Sequence, residues 1–311
     1  MVDRAGVRAG DVLEAIDGIA LRAPSDLRRA LMQMGDVASI AEQSVTVDRR
    51  PRDPHVEYGH IERDVRLRTL VHGKGSLGVL FLQGIALSSI EDPSPVTNVL
   101  RALPSVTLME LERRGVGDSE GAPPDFLTEV EDYRAALAVL SARCDEVALF
   151  GHSVGGMIAP ILRNSAAIAV YGTSAMRWRA CLEASTRRQL ALRGVHDVEP
   201  ILARERARID DGEDERSPEF HAQLDAIDLP AAWRSTTCPR LVLHGEYDWV
   251  VSEKEAREID PRAQILPQLD HAMTAHDSLH QSLLALGRGR WVNIPEIHQF
   301  LQGMRRAAFA V

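Results

Sequence analysis

Apolar residues arrive in two rhythms along the 311-residue chain. Unbroken apolar runs recur at LGVLFLQG (77–84), SVTLMEL (105–111), EVALFGH (146–152), AIAVYGT (167–173) and RLVLHGE (240–246). Runs of this length without polar alternation predict strands covered on both faces. Stretches with helical spacing separate them. In LTEVEDYRAALAVLSARC (127–144), Leu127, Val130, Tyr133, Leu137 and Leu140 fall on one predicted face. This alternation predicts an α/β fold with a doubly wound, mostly parallel sheet. Residues 174–237 break the rhythm: they carry no strand pattern and are rich in Arg, Glu, Ala and Leu, as in CLEASTRRQLALRG and VEPILARERARID. They predict helices inserted above the sheet.

The first fifty residues follow a different plan. DVLEAID (11–17) alternates like a strand, Asp17-Gly18 signals a hairpin, and IAL (19–21) supplies the returning strand. Ser25 is placed to cap a helix over DLRRALMQMG, closed by Gly35, and SVTVDR (44–49) alternates again. Residues 1–50 are therefore expected to form a small α+β unit. Residues 51–60, with Pro51 and Pro54, are expected to be the linker, and residues 61–311 the main domain. The order of AGVRAGDVLEAIDGIALRAPSDLRRAL (5–31) resembles the second half of a bacterial PDZ domain of the type found in housekeeping proteases. In that family the peptide-binding strand and the carboxylate-binding loop lie upstream of this stretch. The resemblance thus implies a truncated PDZ-like unit that packs or docks onto protein, not one that captures peptide C-termini.

Composition narrows the function classes. With 45% hydrophobic and 26% charged residues the chain has the profile of a soluble globular protein. Its net charge of -9, with bases interleaved among acids, argues against nucleic acid as a partner. Cys144, Cys181 and Cys238 are odd in number and lack zinc-ligand spacing, which points to a reducing, cytoplasmic compartment. No segment approaches the roughly 18 apolar residues of a membrane span. Glycine-rich phosphate cradles, metal-ligand clusters and paired glycosidase carboxylates are not evident, so neither cofactor nor metal is expected.

Candidate chemistry centres on FGHSVGG (150–156). Gly-x-Ser-x-Gly alone is weak evidence, but here it follows the run EVALF and precedes MIAPILR, which continues as a helix. A tight turn from strand to helix needs small residues at Gly151 and Gly155 and pushes the Ser153 hydroxyl out at the carboxyl edge of the sheet. A serine hydroxyl needs a base, and the base needs an orienting acid.

The order in which this chain supplies them resembles the α/β-hydrolase superfamily over roughly residues 56–311. That family places Ser, acid and His at successive strand ends. LVLHGEYDWVV provides Asp248 and AQILPQLDHAM provides His271 at the matching loops. Rivals stand close by: Glu246 and Asp270 for the acid, His276 and His280 for the base, the two histidines falling in a stretch that reads as helix. His152 and His244, within or beside strands, read as structural histidines, with His152 also a candidate at the substrate pocket. The resemblance implies an oxyanion hole from the backbone N–H groups of Ile85 and Val154. Many relatives have His-Gly where this chain has Gln83-Gly84, a change that keeps the backbone donor and makes Gln83 a further candidate at the substrate pocket. MELERRGVGDSEG (109–121) sharpens the match, because Arg-Gly-x-Gly-x-Ser after this strand is typical of prolyl-iminopeptidase-like aminopeptidases, lipases and esterases. Its Arg114 and Asp118 are expected to tie that loop to neighbouring backbone. Serine at the elbow disfavours the epoxide hydrolase and dehalogenase branches, which place Asp there.

The inserted helices resemble the lid of this superfamily. Trp178, Arg179, Cys181, Glu183 and Arg187 are its candidates to face the substrate, each equally readable as part of an ordinary amphipathic helix. A lid Glu183 suits a substrate amine, and a lid arginine suits a carboxylate or a phosphopantetheine arm. The expected activity is a serine hydrolase acting on an ester, thioester or amide through an acyl-enzyme. Two alternatives stay open: acyl transfer or cyclisation on the same triad, and a non-catalytic docking protein on the same scaffold.

Overall fold

The computed structural model describes residues 55–91 and 94–308, preceded by four short strands. These are β1 (Ala15–Ile16), β2 (Ile19–Ala20), β3 (Val37–Ile40) and β4 (Gln43–Thr46), in the antiparallel order β2-β1-β3-β4. The strands expected on either side of Asp17-Gly18 pair in antiparallel register, Ile16 opposite Ile19. The rest of the PDZ-like resemblance falls outside the described residues.

The main sheet is built from β5 (Val56–Glu62), β6 (Arg66–His72), β7 (Leu77–Leu82), β8 (Val106–Leu111), β9 (Glu146–His152), β10 (Ala167–Tyr171), β11 (Arg240–Gly245) and β12 (Gln264–Leu266). Their order is β12-β11-β10-β9-β7-β8-β6-β5, parallel from β12 to β8 and antiparallel at β6 and β5. Each unbroken apolar run is a strand of the interior. Successive side chains point to opposite faces, so Leu80, Leu82 and Leu149 enter one core while Val79, Phe81 and Phe150 enter the other.

Helices cover both faces: α1 (Pro95–Arg101), α2 (Phe126–Ser141), α3 (Val154–Ile158), α4 (Trp178–Leu192), α5 (Glu199–Asp210), α6 (Pro218–Ala226), α7 (Leu229–Ser235), α8 (Glu253–Ile259), α9 (Leu279–Ala285) and α10 (Pro295–Ala308). Between α8 and α10 the chain also forms a two-stranded ribbon, β13 (Thr274–Ala275) with β14 (Arg290–Trp291). Capping residues set several starts. Ser94 and Thr97 form a reciprocal capping box with Pro95 at the first helical position of α1, and Asp125 accepts from the Thr128 amide at α2. Helices α4 to α7 fill the strand-free segment between β10 and β11. They are not a detached cap: Trp178, Phe220, Leu224 and Trp233 join the same core as α2.

Two expectations are corrected. Val56–Glu62 begins within the expected linker, residues 51–60, yet it pairs with β6 along its whole length. It is an edge strand whose residues other than Ile61 are half-buried or exposed, so it lacks the apolar run that announces interior strands. On α2, Phe126, Val130, Tyr133, Leu137 and Leu140 are buried while Leu127 is 49% exposed. The buried stripe starts one residue earlier than the spacing suggested.

Candidate active site

The turn between β9 and α3 is as tight as its glycines imply. A Cβ on Gly155 would lie 2.0 Å from the Leu82 carbonyl oxygen, and one on Gly151 would lie 2.6 Å from the carbonyl oxygen of Gly155. The close approach holds Ser153 at φ 54°, ψ -119°, a left-handed conformation costly to a residue with a side chain. The Ser153 amide is anchored to the Tyr171 carbonyl of the neighbouring strand at 3.0 Å. Backbone strain here is sustained by packing on both sides of the turn.

Asp248, in the loop after β11, is fully buried at its carboxylate. One oxygen, Oδ1, accepts from the amides of Val250 at 2.7 Å and Val251 at 2.9 Å, which fixes the plane of the carboxylate. The other, Oδ2, lies 2.8 Å from Nδ1 of His271, in the loop after β12. This contact makes Nδ1 the protonated nitrogen and leaves Nε2 as the acceptor. Burial opposes protonation of the His271 ring, but the charge and hydrogen bond of Asp248, helped by Asp270, outweigh it and raise the pKa above the ordinary imidazole value. Burial likewise disfavours a charged Asp248, and His271 with the backbone amides prevails, holding the carboxylate pKa below its usual value.

His152 links the elbow to this pair. Its Nε2 donates to the His271 carbonyl at 2.7 Å, and the two rings stand 5.0 Å apart. Burial, reinforced by the nearby His271, lowers its pKa to about 4, so the ring is neutral at physiological pH. Gly172 lies beside both His271 and Asp248: a Cβ there would come 3.0 Å from His271 Nδ1 and 3.1 Å from Asp248 Oδ2. Among the described residues the Ser153 hydroxyl makes no hydrogen bond.

The loop after β7 closes the other side. Gly84 sits where a Cβ would lie 3.2 Å from His152 Nδ1 and 3.4 Å from Ser153 Cβ. The Ile85 amide has no acceptor among the described residues, and Val154 stands at the first position of α3, where a helix provides none.

Other sequence candidates are committed elsewhere. Gln83 donates through Nε2 to the Leu111 carbonyl at 2.7 Å and through its amide to Tyr133 Oη at 3.1 Å. Trp178 is buried, its indole donating to His221 Nδ1 at 2.9 Å, while Glu183 pairs with Arg206 at 2.9 Å and Arg187 with Glu199 at 2.7 Å. Arg179 pairs with Asp210 at 2.7 Å. Burial pushes the Cys181 thiol up to about 12, which leaves it an inert thiol. Glu246 accepts from the Gln268 amide at 2.9 Å. Asp270 accepts from the amides of Ala272 and Thr274 and the hydroxyl of Thr274, and contacts His276 at 2.9 Å. His276 follows β13 and does not lie in a helix as expected, whereas His280 is in α9. His244 Nδ1 is 3.9 Å from Asp248 Oδ2, and burial lowers its pKa. Arg114 is bound by the Asp132 and Asp64 carboxylates, not by backbone.

Sequence reasoning missed Trp249, whose ring lies 6.4 Å from that of His271, and a buried set formed by Arg113, Glu129 and Arg216 beneath the Gln83-Ala86 loop. A signal for Glu129 was present: it shares the buried face of α2 with Phe126 and Tyr133. No three His, Cys, Asp or Glu side chains among the described residues stand close enough to hold a metal ion, and no described helix is long and apolar enough to cross a membrane.

Comparison with known proteins agrees with this architecture. The chain is similar in fold to an esterase of Pyrococcus furiosus, at 16% identity and a TM-score of 0.53 over 78% of this chain and 93% of that one. It is similar to Est1E from Butyrivibrio proteoclasticus, solved with ferulic acid, at 16% identity and a TM-score of 0.54 over 74% and 96%. An alpha/beta fold family hydrolase from Bacillus anthracis matches at 15% identity and a TM-score of 0.51 over 80% and 99%. A search of curated proteins gives no match. The sequence profile of the alpha/beta hydrolase family matches residues 70–282, well over half of the chain. The chain belongs to the alpha/beta hydrolase family and is an enzyme of hydrolase type.

Proposed function

We propose that the chain is a serine hydrolase that cleaves an ester, thioester or amide through an acyl-enzyme, with Ser153, His271 and Asp248 as its triad. One observation carries the reading: the 2.8 Å contact of His271 Nδ1 with a carboxylate whose other oxygen is held by two amides, beside a strained elbow serine. His271 Nε2 takes the proton as the Ser153 oxygen attacks the carbonyl carbon. Asp248 stabilises the imidazolium, and the N–H groups of Ile85 and Val154 receive the oxyanion. The proton then passes to the leaving group, and water, activated by the same histidine, releases the acid. Helices α4 to α7 are assigned as the lid. The three cysteines are all free thiols, which supports a cytoplasmic assignment.

Turnover of p-nitrophenyl acetate by the parent and by Ser153→Ala tests the reading. The variant should fall to background; parent-like turnover by Ser153→Ala would refute it.

A further inference from the structure

Four consecutive carbonyl groups next to Ser153, those of Gln83, Gly84, Ile85 and Ala86, accept hydrogen bonds from just two side chains. Arg113 donates to Gln83 at 3.0 Å, to Gly84, and to Ala86 at 2.8 Å. Arg216, which lies between α5 and α6, donates through Nε to Ile85 at 3.0 Å. Glu129 on α2 joins the two guanidiniums, accepting from Arg113 Nε at 2.6 Å and from Arg216 Nη2. All three side chains are at most 2% exposed. The next amide, that of Leu87, donates to the exposed Glu215 at 2.8 Å, one residue before Arg216.

A trans peptide is planar, with its C=O and N–H pointing in opposite directions. Gripping the Gly84 carbonyl therefore aims the Ile85 N–H, and gripping the Ile85 carbonyl stops the following peptide from rotating back. Apolar residues of similar volume often stabilise a fold as well as a buried charged triad does. What this triad supplies, and apolar packing cannot, is a set of fixed donors to successive carbonyls. The Phe220 ring, 4.2 Å below the Arg216 guanidinium, seats it against the core.

We propose that Arg113, Glu129 and Arg216 are positioning residues for the oxyanion hole, and that Arg216 and Glu215 make the seating of the inserted helices a condition for a competent Ile85 donor. The proposal rests on the serine hydrolase reading above. None of the three touches the reacting atoms; each acts through the backbone of residues 83–87.

The test compares the parent with Arg216→Lys, which keeps the charge and loses the fork, and with Glu215→Ala, a change at an exposed side chain. Active sites are titrated with a fluorophosphonate, then kcat, KM and the affinity of a phenylboronic acid, whose tetrahedral adduct places an oxygen in the hole, are measured. Arg216→Lys should lose about 10- to 100-fold in kcat per titrated site with KM within about twofold, boronate affinity falling in parallel and the His271 pH inflection unmoved. Glu215→Ala should lose about 3- to 10-fold in the same pattern. If Arg216→Lys does not fold, Glu215→Ala decides alone. Parent-like kcat and boronate affinity in the folded variants overturn the clamp while leaving the hydrolase reading intact; a parent that takes up no fluorophosphonate overturns both.

Discussion

His271 Nδ1 faces Asp248 Oδ2 at 2.8 Å, and a Cβ on Gly172, behind the pair, would come within 3.1 Å of both atoms. The contact sets both the tautomer and the basicity of His271. In the proposed triad, the raised His271 pKa has a definite sign for catalysis. A general base works only when neutral, so kcat/KM should be lost as pH falls through that pKa. The inflection should lie above the ordinary imidazole value of about 6.5. His152, neutral above about 4, adds nothing in this range. An acid-limb inflection below about 6 would contradict the geometry.

Asp248→Asn preserves the shape of the loop but presents an amide where His271 needs an acceptor. The expected loss in kcat is on the order of 10⁴-fold, with KM little changed. Steady-state kinetics at pH 7.5 measure it, and a loss below about tenfold would remove Asp248 from the triad.

Strain at the elbow predicts an opposition between activity and stability. Glycine adopts φ 54° without penalty, so Ser153→Gly should raise the unfolding free energy by about 1 kcal/mol while abolishing turnover. Gly155→Ala should do the reverse to the fold, since the added methyl meets the Leu82 carbonyl, and is expected to cost roughly 1–3 kcal/mol. Urea melts give both values. A Ser153→Gly protein less stable than the parent would show that the turn is unstrained.

The buried face of α2 is checked by a pair of changes. Leu137→Ala, in the core, should cost about 2–5 kcal/mol, whereas Leu127→Glu, on the exposed side, should stay within about 0.5 kcal/mol. Equal destabilisation by the two would restore the face that periodicity alone suggested.

That helix also shows what the sequence can carry. The interior strands were legible because burial on both faces demands unbroken apolar runs, and the elbow was legible because its glycines flank a serine directly after such a strand. Val56–Glu62 was not, since its residues other than Ile61 are half-buried or exposed and it follows two prolines. His276 was read into a helix because a two-residue ribbon strand leaves no periodicity to detect. The Arg113-Glu129-Arg216 set was invisible for a different reason. Its members stand 16 and 87 residues apart from Glu129, and charged residues read as solvated until the fold brings them together. Trp249, directly after Asp248, was within sight but carried no signal of its nearness to His271.

The central claim, that Ser153 is the nucleophile, is tested most directly by intact mass and peptide mapping after exposure to a fluorophosphonate probe. The account predicts a single adduct per chain, carried by the peptide containing FGHSVGG and located on Ser153, with labelling slowed by Asp248→Asn. An unmodified parent, or an adduct on any other residue, would contradict it.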